Sequence, residues 1–150
     1  MCLILFAYGI HPRYRLILAA NRDEFYARPS AAAAFWEDAP DLLAGRDLQD
    51  GGTWLGITRR GRFAALTNYR DPASLRAEAP SRGRLVGDYL RGRAAPADYL
   101  DEVRSGAHAY NGFNLLVGDA HSLHWFSNRG PSVPLTPGLY GLSNHLLDTP

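Results

Sequence analysis

Lysine is missing from this 150-residue chain, and all sixteen basic side chains are arginine. Its absence removes a P-loop lysine, a Schiff-base lysine and a pyridoxal phosphate anchor from consideration. Cysteine is almost missing too: Cys2 stands alone, which excludes an intrachain disulfide framework and a multi-cysteine zinc cage. The opening apolar run is far shorter than the ~20 residues of a membrane span and lacks a basic leader, so a cytoplasmic protein without a membrane span is expected. Charge of one sign is scarce, with a formal net charge of +1 and no basic tract denser than Arg59-Arg60-Gly61-Arg62, so nucleic acid is not an expected partner. His121 and His124 have no further spaced His or carboxylate to complete a metal set. No glycine-rich turn joins a strand to a helix, which argues against a dinucleotide fold.

What is present suits one compact domain: 46% hydrophobic and 11% aromatic residues can bury a substantial core. Short apolar segments recur in pairs. Met1 to Tyr8 and Tyr14 to Ala20 predict a hairpin, and a loop after Arg28-Pro29-Ser30 leads to a short strand near Ala33 to Trp36. The alanines before Phe35 would equally suit a helix start, but the run is too short to decide. Leu42 to Asp47 is a further short segment before the turn signal Asp50-Gly51-Gly52. Thr53–Thr58 with Arg62–Tyr69, and Phe113–Gly118 with Ser122–Asn128, predict two more hairpins. Between them, Asp71 to Gly83 reads as a surface loop. Leu85, Val86, Tyr89 and Leu90 form a helical face with Ser81 as its expected cap and Gly92 as its stop, and a second helix runs from Pro96 to Gly106. Strands in runs rather than in alternation with helices predict an α+β fold or a helix-covered sheet sandwich.

The first hairpin returns Asn21-Arg22-Asp23-Glu24 towards the start of the chain, so Cys2 and Asp23 are expected neighbours. Removal of Met1 would leave Cys2 as a terminal residue carrying both a nucleophile and a base, because the free α-amine has a reference pKa of about 7.7–8.0. A thiol with a reference pKa of about 8.5 would need only modest lowering by Arg22 to hold a useful thiolate fraction. Cys2 reads equally as a small apolar residue opening a buried strand. Asn68 and Asn144 each end an apolar segment. Asn68 reads either as an Asx turn capping its strand or as an amide facing a pocket.

Met1-Cys2, Asn21-Arg22-Asp23-Glu24, Ala44-Gly45-Arg46-Asp47, Gly51 to Gly56, Ala65 to Arg70 and Gly141-Leu142-Ser143-Asn144 together resemble the NRDE family, also called the transport and Golgi organisation family. The resemblance runs in order along essentially the whole chain. It implies that residues 1–150 are the N-terminal part of a longer domain, for nothing near Leu147-Asp148-Thr149-Pro150 reads as a domain end. That family is in turn similar to N-terminal nucleophile hydrolases of the choloylglycine hydrolase and penicillin V acylase kind, whose fold is a four-layer αββα sandwich. The similarity implies that Cys2 is the nucleophile, that Asp23 holds the terminal amine, that Asn68 and Asn144 are the oxyanion and amine contacts, and that Asn21 and Arg22 lie at the substrate. One departure is evident: those enzymes carry an Arg directly before the Asn-x-Asp triplet, where this chain has Ala20. Arg22 could take that place only if its side chain faces the same pocket.

Two functions of different classes follow from the resemblance. The first is a Cys-dependent amidohydrolase that cleaves a linear C–N bond of a small acyl amide through an acyl-enzyme, without a cofactor. The second is a haem- or lipid-related binding and trafficking protein, with haem as ligand rather than cofactor; no CxxCH attachment motif is present. A vestigial site on an interaction scaffold is the third alternative.

Overall fold

The computed structural model describes residues 1–149. Its elements are β1 (Leu3–Tyr8), β2 (Leu16–Asn21), β3 (Ser30–Trp36), β4 (Ala39–Asp47), β5 (Leu55–Thr58), β6 (Phe63–Asn68), α1 (Gly83–Arg91), α2 (Pro96–Gly106), β7 (Phe113–Gly118), β8 (Leu123–Ser127), β9 (Ser132–Pro134) and β10 (Gly138–Leu142). The fold is α+β with two antiparallel sheets. A seven-stranded sheet runs β3 to β9 in chain order, and a three-stranded sheet has the order β10-β1-β2.

Alternation along the strands divides the apolar side chains between two cores. Ala64 and Leu66 of β6, with Leu115 and Val117 of β7, pack against Leu85, Val86, Tyr89 and Leu90 of α1 and Leu100 and Val103 of α2. Their neighbours Phe63, Ala65 and Leu116, with Trp125, face the other way onto Ile4, Phe6, Tyr8 and Leu142 of the small sheet. The described residues therefore stack in three layers: helices, large sheet, small sheet. Leu5, Ile17 and Leu139 on the outer face of the small sheet are exposed.

Several boundaries differ from expectation. β3 begins at Ser30 rather than Ala33 and β4 at Ala39 rather than Leu42, because the two pair as a hairpin with register shifts that alanine-rich sequence does not advertise. β9 lies within the Pro/Gly-rich passage; it is a three-residue edge strand ending in Pro134, and an edge position tolerates a residue that cannot donate to a ladder. Ser81 does not cap α1. The helix starts at Gly83 with Arg82 at the N-cap and no side-chain capping bond. Gly52 explains that start: a Cβ there would meet the Gly83 carbonyl carbon at 2.5 Å, so the Asp50-Gly51-Gly52 turn abuts the first turn of the helix backbone. Gly92 closes α1 as expected, its N–H donating to the Asp88 carbonyl at 2.9 Å.

Candidate active site

Pairing along β1 decides which residues meet. Leu3 lies opposite Asn21 on β2, and Ile4 lies opposite Leu142 on β10, so continuing each ladder outward brings Arg22-Asp23 and Asn144 to the two sides of Cys2. The Asp23 backbone N–H donates to Cys2 Sγ at 3.3 Å, and the Asp23 carboxylate forms an ion pair with the terminal amine of Met1. Asn21 anchors the same terminus through Nδ2, which donates to the Met1 carbonyl at 2.9 Å.

Asn144 ties the two sheets together at this point. Its Oδ1 accepts the Cys2 backbone N–H at 2.9 Å, while its Nδ2 donates to the Asn68 carbonyl at 2.8 Å. One partner only donates and the other only accepts, which settles the orientation of the amide. The link recurs in the backbone, where the Arg70 N–H donates to the Asn144 carbonyl at 2.8 Å. That N–H is the one an Asx turn at Asn68 would use, so the turn is not formed. Asn68 stands half-buried at the end of β6, and among the described residues its carboxamide has no partner. It remains available to a bound molecule.

Cys2 is 8% exposed. Burial pushes its pKa up, and this outweighs the terminal amine and Arg22, which lower it; Glu24 adds to the rise, and a hydrogen bond from Asn144 opposes it. The expectation that Arg22 would hold a ready thiolate is thus corrected. The Arg22 guanidinium lies 3.2 Å from the Glu24 carboxylate, so its charge near the thiol is largely offset. At neutral pH the resting sulfur is a protonated thiol, and a base must take its proton before it attacks.

Beside Cys2 opens a cavity of about 660 Å³. Its walls come from the Arg22–Arg28 turn, β3, β4, the segment Thr53–Leu55 and the approach to α1, and include Trp54, Leu66 and Asn68. A second, shallower cavity of about 400 Å³ carries Met1, Asn144 and the Tyr69–Pro72 exit, and shares Cys2, Asp23, Asn68 and Arg82 with the first. Of the six residues singled out in the sequence, Cys2, Asp23, Asn68 and Asn144 come together; Asn21 lies behind the terminus, and Arg22 lines the larger cavity. Arg82 was not anticipated. A loop arginine in a Pro/Ser/Arg-rich stretch carries no local signal of its destination.

A family profile described as Transport and Golgi organisation 2 matches residues 1–150. The chain belongs to this family. Among curated members, it is 48% identical over 164 aligned positions to the Transport and Golgi organization protein 2 homolog of Homo sapiens, and 47% identical to that of Bos taurus. It is 33% identical over 171 positions to the Drosophila melanogaster Transport and Golgi organization protein 2. Each alignment covers all of this chain and 59–60% of the relative, so the chain spans about three-fifths of the length of these family members. No helix among the described residues of this chain is long and apolar enough to cross a membrane.

Proposed function

We propose that the protein, once Met1 is removed, is an N-terminal cysteine amidohydrolase. The observation that carries this reading is the setting of the Cys2 nitrogen. It is held by Asn144 Oδ1 at 2.9 Å, next to the Asp23 carboxylate that already pairs with the terminal amine one residue earlier. Cleaving the Met1–Cys2 bond would convert that nitrogen into an α-amine with both acceptors in reach. The amine, directly or through a water, takes the thiol proton, and Sγ attacks the substrate carbonyl. Charge develops on the carbonyl oxygen, where the unengaged Asn68 amide can donate to it. The C–N bond then breaks, the leaving nitrogen takes the proton from the α-ammonium, and water hydrolyses the thioester to the free acid.

The αββα architecture belongs to the same proposal. The stacking of helices, large sheet and small sheet supports it, and exposed Leu5, Ile17 and Leu139 of the small sheet offer a face that a second helical layer would cover. We take the transport and Golgi organisation in the relatives' names as the cellular setting, and amide cleavage as the molecular activity within it.

The test is the intact mass of the expressed protein before and after incubation with small acyl amides and a thiol alkylating reagent. Loss of Met1, a covalent acyl adduct on Cys2, and alkylation of Cys2 that speeds up as pH rises support the hydrolase. Retained Met1 or a Cys2 that forms no adduct defeats it. A Soret shift on haem addition that disappears in Cys2→Ala, without any acyl adduct, would favour the carrier reading instead.

A further inference from the structure

The larger cavity is lined by charges that cancel one another almost completely. Arg22 pairs with Glu24, Arg28 with Asp47 and Asp50, Arg46 with Asp38, and Asp23 with the terminal amine. Among the described residues, Arg82 is the charged side chain of this lining that has no partner of opposite sign. Its one protein hydrogen bond runs from Nη1 to the Gly112 carbonyl at 3.0 Å. Burial pulls its pKa down, with Glu24 opposing and Arg28 reinforcing that shift, so the guanidinium is held in a desolvated place that Glu24 compensates only in part. A half-buried cation in that state is stabilised by an anion that brings its own acceptors.

Its position gives that anion a meaning. Arg82 lies on the wall shared by both cavities, together with Cys2, Asp23 and Asn68. It is held there by the backbone: the Thr53 N–H donates to the Gly83 carbonyl at 3.2 Å, and Gly52 packs directly on Gly83. The Arg82 side chain bonds to the Gly112 carbonyl and the Cys2 sulfur to the Asp23 backbone, with no hydrogen bond between the two, so an anion on the guanidinium is a different part of the bound molecule from the carbonyl at the sulfur. We propose that Arg82 is the specificity-determining residue of this cavity, and that the amide cleaved at Cys2 belongs to a molecule carrying a carboxylate a few bonds from the scissile carbonyl. The guanidinium fork matches a carboxylate with two parallel N–H···O bonds. Leu43, Leu66 and Trp54 leave apolar wall for the rest of the molecule, and a cavity of about 660 Å³ holds a small acyl amide. The proposal rests on the hydrolase reading, and its test separates the two.

N-Bromoacetylglycine and N-bromoacetylglycinamide present the same reactive carbon and differ in charge. In either reaction, Cys2 sulfur displaces bromide and the thiol proton goes to solvent. The full-length, Met1-free protein is alkylated with each, and the ratio of rates is divided by the same ratio for free cysteine. The expected normalised ratio is about tenfold in favour of the carboxylate. In Arg82→Gln it falls to about one while the neutral reagent reacts as before, and in Arg82→Lys part of the preference survives. An unchanged ratio in Arg82→Gln, with the neutral rate intact, overturns the role of Arg82 and leaves the hydrolase standing. A Cys2 inert to both reagents overturns the hydrolase. Calorimetric titration with N-acetylglycine and N-acetylglycinamide then decides the anion site alone: carboxylate-selective binding lost in Arg82→Gln upholds it, and equal binding of the two by the unmodified protein overturns it.

Discussion

Replacing Asn144 by Ala tests the bridge on which the candidate site is assembled. The side chain spends both ends of its amide on backbone partners in different sheets: the Cys2 N–H at 2.9 Å and the Asn68 carbonyl at 2.8 Å. A net intramolecular hydrogen bond contributes about 1 kcal/mol, and a partner left buried and unsatisfied costs about 1–3 kcal/mol. Two lost bonds thus bracket the effect between about 2 and 6 kcal/mol, with the lower end expected because the adjoining cavities let water reach the orphaned groups. With a urea m-value of roughly 2 kcal/mol/M, the midpoint moves down by about 1 M. Asn144→Asp is informative beside it. The carboxylate still accepts from Cys2 but turns an oxygen lone pair towards the Asn68 carbonyl, so this variant should be no more stable than the Ala variant at neutral pH. The assay is equilibrium urea unfolding followed by far-UV circular dichroism. A midpoint within about 0.2 M of the unmodified protein for Asn144→Ala, or full stability for Asn144→Asp, would falsify the claim that this amide holds the two sheets in register.

Further outcomes are expected from side chains with different surroundings. Asn68→Ala should leave the urea midpoint nearly unchanged, since its amide has no protein partner, yet slow acylation of Cys2 by about 100- to 1,000-fold in rapid-quench mass spectrometry; equal rates would remove it from the oxyanion role. Arg62→Ala should destabilise by about 3 kcal/mol in the same urea assay, because Arg62 supplies the donors to the Tyr89 carbonyl (2.9 Å) and the Ala94 carbonyl (2.9 Å) at the end of α1 and stacks on the Tyr89 ring. A change below about 1 kcal/mol would show that water replaces it. Asp47 has its pKa lowered even though burial pushes it upward, because Arg28 and the backbone N–H groups of Gln49 and Asp50 outweigh that burial. Its contribution is therefore present above the unfolded carboxyl value of about 3.9 and is lost as pH falls through the lower folded value. Asp47→Asn should flatten the acid limb of a thermal-stability profile, and an acid limb identical to that of the unmodified protein would refute this.

The sequence by itself determined the local pieces: the three long hairpins, both helices, the α+β class and the pairing of Cys2 with Asp23 across the first turn. These depend on apolar period, on turn residues and on short loops, all of which act within about twenty residues. It also marked Asn68 and Asn144 as amides at strand exits. What joined them was tertiary. β10 returns to the far edge of β1, so a residue 142 positions away accepts the Cys2 N–H, and no local pattern encodes that pairing. The state of the thiol was decided in the same way, because burial and the Arg22–Glu24 contact exist only once the layers have packed. Arg82 is the clearest case. Read along the chain it is one more arginine in a polar loop; it becomes a cation without an ion-pair partner on the cavity wall it shares with Cys2 because Gly52 lets a turn seat against the start of α1, and that placement is set by packing rather than by sequence period.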